Sequence, residues 1–322
     1  MSLRDLASVV GVTQTAIAKY ENNELVPDGD RLMEIARALS VSVADLMKPQ
    51  RKNRPIKISY RKSHSLSKKS QTKLEILLQD KINDYLDVLD LLDERPVKID
   101  KYTVSNISEA EEAALHFRLC NNLNDLMPMT DLTSIVENLG INLIYLNDED
   151  GVYKGFFGVS EIIEEHPFIC LTRSVNLFKH RFTLAHELGH LVLDVCGEVD
   201  EEEACDAFAS SLLFPNRALL MKFGGKRSSI DWQEFIEVQR EYGISIKTAI
   251  YRLHRQNVIS DGRCKTYNIM FNKLSKDYES LISTNEQTSK YKMMVYRLRG
   301  EGIITESRFQ ELLGGDRTCE II

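Results

Sequence analysis

The stretch RFTLAHELGH, Arg181 to His190, places two imidazoles and a carboxylate in the pattern H-E-x-x-H, with His186, Glu187 and His190 as its members. On an α-helix, residues four apart lie on one face, so both histidines can bind one metal ion while Glu187, about 100° round the axis, reaches a water beside it. Zinc (Zn2+) suits such a pair. It is a Lewis acid without redox chemistry that brings the pKa of a bound water down to about 7, where a neighbouring carboxylate can take the proton and later deliver it to a leaving amine. Phe182, Ala185, Leu188, Leu191 and Val192 recur at helical spacing, so the motif lies in an amphipathic helix that can dock on a core.

A hydrolytic zinc has three protein ligands and one open position, so a third ligand must come from elsewhere. The segment Asp200 to Pro215 supplies candidates: Ala204, Ala207, Phe208 and Leu212 form an apolar helical stripe, and Pro215 marks its stop. Glu202 and Asp206 share a face of that helix. The spacing lets Glu202 ligate the metal while Asp206 holds a histidine through its other ring nitrogen. Glu201 and Glu203 are expected to form a solvated, negative helix start. Cys205 competes with Glu202, because a thiolate also binds zinc; carboxylate is favoured as the partner of H-E-x-x-H.

The run RFTLAHELGHLVLD, followed by E-x-x-x-D-x-F-A-x-x-L-L-F-P, resembles the ImmA/IrrE metallopeptidases, over about residues 105 to 260. The resemblance implies a cytoplasmic zinc protease that cleaves a DNA-binding repressor, with His186, His190 and Glu202 as ligands and Glu187 as general base. Cys205 departs from the pattern, which has a small residue there, commonly Ala.

The first fifty residues carry a signal of another kind. Leu3, Leu6, Ala7 and Val10 follow one helical face, Gly11 breaks the helix, and Thr13 can cap the next, from about Thr13 to Tyr20. Gln14, Thr15 and Lys19 are expected to point outward and Ile17 and Tyr20 inward, with Asp28 to Ala38 and Ser42 to Met47 completing a bundle. This stretch resembles the XRE (lambda-repressor-like) helix-turn-helix domain. Residues Thr13, Gln14 and Thr15 at the helix start would then face duplex DNA, Gln14 and Thr15 reading base edges and Lys19 touching phosphate. Such domains have a further helix ahead of the first one seen here. Its absence would expose the face of Leu3, Leu6 and Val10, which a homodimer partner could cover.

From Lys48 to Leu74 there are ten Lys or Arg and no acid, so residues 1–74 carry a net +7 while the remaining chain carries −14. This polarity suits a basic arm along a phosphate backbone or a solvated linker. The 322 residues are 43% hydrophobic, enough for two or three domains. The chain shows no apolar run of membrane-spanning length and its six cysteines lack a CxxC pair, so no signal peptide, free thiols in a cytoplasm and no membrane partner are expected.

Amphipathic patterns mark helices at Lys73 to Leu92 and Ser108 to Leu119. Apolar runs at Ile141 to Leu146, Tyr153 to Val159 and Pro167 to Thr172 suggest a small sheet ahead of the zinc helix. Phe168 to Thr172 is the expected edge strand for holding an extended substrate. Ser245 to Leu253, Met293 to Leu298 and Glu306 to Leu313 read as helices, and His254 as structural.

The expected architecture is α+β, mostly helical. Residues 1–48 form a helix-turn-helix domain, 49–104 a basic linker and amphipathic helix, 105–260 a zincin-like metallopeptidase domain, and 261–322 a helical C-terminal region. The expected activity is zinc-dependent cleavage of a repressor or antitoxin protein. The alternative is a DNA-binding regulator whose zinc is structural or sensory; Glu187 separates the two, because a structural site needs no general base.

Overall fold

A computed structural model describes residues 3–21, 24–39, 43–46, 68–147, 151, 153–173, 176–278, 286 and 288–313. Most of the basic stretch Lys48 to Leu74 lies outside these residues. The chain divides into two compact units, residues 1–54 and 55–322.

The first unit contains α1 (Leu3–Val10), α2 (Gln14–Glu21), α3 (Gly29–Leu39) and α4 (Val43–Leu46). Gly11 ends α1 at φ +71°, a left-handed conformation that costs glycine nothing, and the Val12 N–H closes back on the Ala7 carbonyl at 3.0 Å. Thr13 Oγ1 then accepts the Ala16 N–H at 3.1 Å and starts α2. The Arg31 guanidinium donates to the Val10 carbonyl at 2.7 Å, putting a cation at the negative end of α1. Leu6, Ala7, Val10, Ile17 and Ile35 form the core, with Leu3 and Tyr20 packed against it. The face expected to be left exposed at Leu3, Leu6 and Val10 is therefore covered within the unit, because α2 and α3 both pack on α1.

The second unit begins with α5 (Lys68–Leu91), β1 (Tyr102–Val104), α6 (Ile107–Cys120) and α7 (Leu132–Asn138). The strands β2 (Asn142–Leu146), β3 (Gly158–Ile163) and β4 (His166–Thr172) follow. Next come α8 (Leu177–Val192), β5 (Leu193–Val195) and α9 (Glu201–Leu213). The unit continues through α10 (Asn216–Phe223), α11 (Trp232–Tyr242), α12 (Ile246–Arg255), α13 (Asp261–Tyr278), α14 (Lys290–Gly300) and α15 (Glu306–Leu313). The three-stranded sheet has the order β2-β4-β3, with β2 parallel and β3 antiparallel to β4, while β1 and β5 form a separate parallel pair.

Alternation along β4 explains its apolar sequence. Ile169 and Leu171 enter the core that holds Leu184, Leu188 and the helices after them, whereas Phe168 and Cys170 enter a second core built from α5, α14 and α15. Both faces are buried, so no polar positions alternate with the apolar ones. Each fully buried side chain of this size contributes about 1.5–3 kcal/mol. The region after residue 260 is thus no appendage: α13 packs on α12, and Val295, Leu298 and Phe309 join Leu78, Ile82 and Leu86 beneath the sheet.

Two expectations about strands are corrected. Phe168 to Thr172 is the central strand, paired on both sides, and the edge strand beside α8 is β3. The expected strand Tyr153 to Val159 is largely a turn, with the Phe156 N–H bonded to the Tyr153 carbonyl at 2.8 Å, and the strand runs instead from Gly158 to Ile163. Its hairpin was hidden because the two turn residues are Glu164 and Glu165, at φ +49° and +68°, where Asn-Gly or Asp-Gly is the usual signal.

Candidate active site

Asn176 starts α8 by accepting the Lys179 N–H at 3.0 Å, and Asp200 starts α9 by accepting the Glu203 N–H at 3.0 Å. The two helices cross closely at Gly189, where an added Cβ would stand 3.3 Å from both Cβ and Sγ of Cys205. That approach lays the first turn of α9 across the histidines of α8.

His186 Nε2 and His190 Nε2 are 3.2 Å apart, and the two carboxylate oxygens of Glu202 lie 3.2 Å and 3.5 Å from them. One donor atom from each of the three residues falls within 4.8 Å of the others, the group able to hold a metal ion among the described residues. Asp206 stands 2.8 Å from His186 Nδ1. Glu201, its side chain still 40% exposed as expected of a solvated helix start, also stands 3.2 Å from His190 Nδ1: α9 begins at that residue, so its first turn brings Glu201 and Glu202 over α8 together. With an acceptor on each Nδ1, the ring protons belong there and both Nε2 lone pairs face Glu202. Two lone pairs and a carboxylate aimed at one point repel one another unless a cation lies between them, and this N, N, O set fits zinc.

Cys205 is buried, and its Sγ is 3.2 Å from His190 Nδ1, the ring nitrogen opposite the one that faces Glu202. The thiol therefore does not join the group. Burial alone would lower the His186 pKa, but the hydrogen bond and charge of Asp206, with the charges of Glu187 and Glu202, outweigh it and raise the imidazole above its usual value. The site attracts positive charge.

Glu187 is buried on the flank of the group that faces the sheet. Ser160 Oγ donates to its Oε2 at 3.0 Å, and a Cβ on Gly158 would stand 2.8 Å from its Oε1 and 2.9 Å from its Cγ. Behind it, burial and then the charge of Glu187 push the Cys170 thiol up, leaving it protonated. Gly158 and Ser160 escaped notice in the sequence, although a glycine inside the run Phe156-Phe-Gly-Val159 is a signal of close backbone approach. His254 lies 2.7 Å from Asp261, tying α12 to the start of α13. In the first unit Thr13, Gln14, Thr15 and Lys19 are all exposed while Ile17 is buried, so the start of α2 presents a polar face to solvent.

A helical bundle and a separate α+β unit with an H-E-x-x-H helix beside a sheet edge define a metallopeptidase-type domain joined to a helix-turn-helix. Residues 136–254 match the IrrE N-terminal-like domain of the M78 peptidases, and residues 1–46 match the helix-turn-helix domain. The chain carries these two domains in the order its motifs implied, and the first match spans the sheet, α8 and α9. No curated protein matches the chain. No described helix is long and apolar enough to cross a membrane.

Proposed function

We propose that the chain is a zinc-dependent endopeptidase joined to a DNA-binding domain, and that it cuts a repressor or antitoxin protein in the cytoplasm to regulate transcription. The observation that carries this reading is the convergence of His186, His190 and Glu202 on one point with Glu187 buried alongside, against the edge strand. His186, His190 and Glu202 would hold the zinc, with Asp206 and Glu201 orienting the imidazoles. Zinc supplies Lewis acidity, polarising the scissile carbonyl and making a water acidic. Glu187 takes the proton of the attacking water and returns it to the leaving nitrogen. Ser160 and the bare backbone at Gly158 keep its carboxylate in one place. The outer edge of β3, which has no further strand among the described residues, offers main-chain groups to an extended substrate.

The test is incubation of the full-length, zinc-loaded protein with the helix-turn-helix repressors and antitoxins encoded beside its gene, with and without chelator, the products read by mass spectrometry. A cut that chelation abolishes is expected. Intact proteins throughout, at stoichiometric zinc, favour a regulator whose zinc is structural or sensory.

Gly158→Ala is expected to lower turnover about 100-fold with zinc content unchanged, since the new methyl displaces the Glu187 carboxylate and a shift of about 1 Å costs that much. Wild-type turnover in this variant would remove β3 from the site.

The exposed start of α2 is proposed to enter the major groove of duplex DNA. In fluorescence anisotropy, Lys19→Ala is expected to weaken all sequences alike and lower the log–log salt slope by about 1, whereas Gln14→Ala narrows the gap between preferred and random duplex by about 1–3 kcal/mol. Absence of binding by the full chain even at low salt counts against the regulator half of the reading.

A further inference from the structure

A cleft of about 180 Å³ opens between the segment before β3, the end of β4 and the first half of α8. Thr183, one helical turn before Glu187 on the same face of α8, forms one wall. Tyr153, Phe156 and Leu171 make an apolar floor, and Leu171 is also the side chain that a Cβ on Gly158 would meet together with Glu187. Phe156 and Phe157 lead directly into Gly158 at the start of β3. The cleft therefore begins within one or two residues of Glu187 along the strand edge, the distance from a scissile bond to the neighbouring side chain of an extended peptide.

Among the described residues the rim has one sign of charge: Lys154, Arg173 and Lys179 are exposed around the opening, no Asp or Glu lines it, and no carboxylate pairs with these three cations. Lys179 Nζ lies 3.9 Å above the Phe157 ring, and the Arg173 guanidinium lies 5.9 Å from the Tyr145 ring, so both head groups rest on aromatic faces and keep their donors available. His180, also on the lining, is pushed down to about 4, by burial first and then by Arg181 and Arg173, so it is neutral at pH 7 and leaves the rim to set the charge. The Glu286 carboxylate, 3.9 Å from its ring, is engaged by Arg181.

We propose that this cleft is the subsite for the substrate side chain next to the scissile bond and that it selects an acidic residue. The methylenes of aspartate or glutamate lie on Tyr153, Phe156 and Leu171, and the carboxylate meets Lys154, Arg173 and Lys179. The proposal rests on the peptidase reading above and names the substrate chemistry of that same site.

The experiment uses the full-length, zinc-loaded protein on a peptide library of balanced composition, with cut positions read by mass spectrometry. Asp and Glu are expected to exceed Lys and Arg about tenfold at one position flanking the cut, a preference that shrinks as salt rises because the rim is exposed. The double variant Arg173→Glu, Lys179→Glu is expected to reverse the preference toward Lys and Arg, whereas a structural role would depress all peptides equally. An absent acidic preference, or one that survives charge reversal, overturns the proposal. If the wild-type protein cuts no peptide, the peptidase reading has failed on its own. A second arm then reads the cleft directly, through binding of the fluorescent pentapeptides Ala-Ala-Glu-Ala-Ala and Ala-Ala-Lys-Ala-Ala to the Glu187→Gln protein. Tighter binding of the glutamyl peptide that charge reversal removes supports an acidic subsite, and equal binding of the two overturns it.

Discussion

Glu187→Gln is expected to lower cleavage by about 10²- to 10⁴-fold while leaving zinc content and fold unchanged. The amide occupies the same volume and can still accept a hydrogen bond from Ser160, which lies 3.0 Å from the carboxylate, but it cannot take a proton from water. Both imidazoles and Glu202 are untouched, so metal content measured by mass spectrometry stays at the wild-type level. Because only the proton transfer is lost, the deficit falls on kcat with little change in KM. A Gln variant that cuts a confirmed substrate at the wild-type rate would show that Glu187 is not the base.

The second large effect concerns the metal. Glu202→Ala would remove the charged member of the proposed ligand set and leave two neutral imidazoles, so zinc is expected to be lost or held far more weakly after dialysis against a mild chelator. Cys205→Ala leaves occupancy nearly unchanged, because the thiol touches His190 Nδ1 and stands apart from the nitrogen that faces Glu202. Asp206→Asn falls between them, weakening zinc about 10- to 100-fold through the loosened His186 ring. Glu201→Gln acts in the same range through His190. Metal content of the four variants ranks them. An empty Cys205→Ala protein beside a full Glu202→Ala protein would make the site His2Cys.

Helical features were legible in the chain because their spacing is a local property. His186 and His190 are one turn apart whatever surrounds them, Glu187 must lie beside them, and Glu202 and Asp206 must share a face of the next helix. Gly11 and Thr13 marked the turn before α2 for the same reason: a positive φ and a capping hydroxyl act within a few residues. Apolar runs likewise located β2 and β4, since strands buried on both faces carry no polar alternation.

Tertiary structure decided what depends on partners far along the chain. Pairing of Leu143 with Ile169 and of Ser160 with Ile169 makes β4 central and leaves β3 at the edge, an order that no periodicity in either strand records. The approach of α8 to α9 at Gly189 made the half-exposed Glu201 a partner of His190, and the hairpin at Glu164 and Glu165 carried Gly158 and Ser160 onto Glu187. Packing of α5, α14 and α15 beneath the sheet made the last helices part of the unit that holds the site. Residue type and local spacing therefore determined which chemical groups the chain brings together, and long-range packing, which selects among many sterically allowed pairings, determined which side chains orient them and which strand lies at the edge beside them.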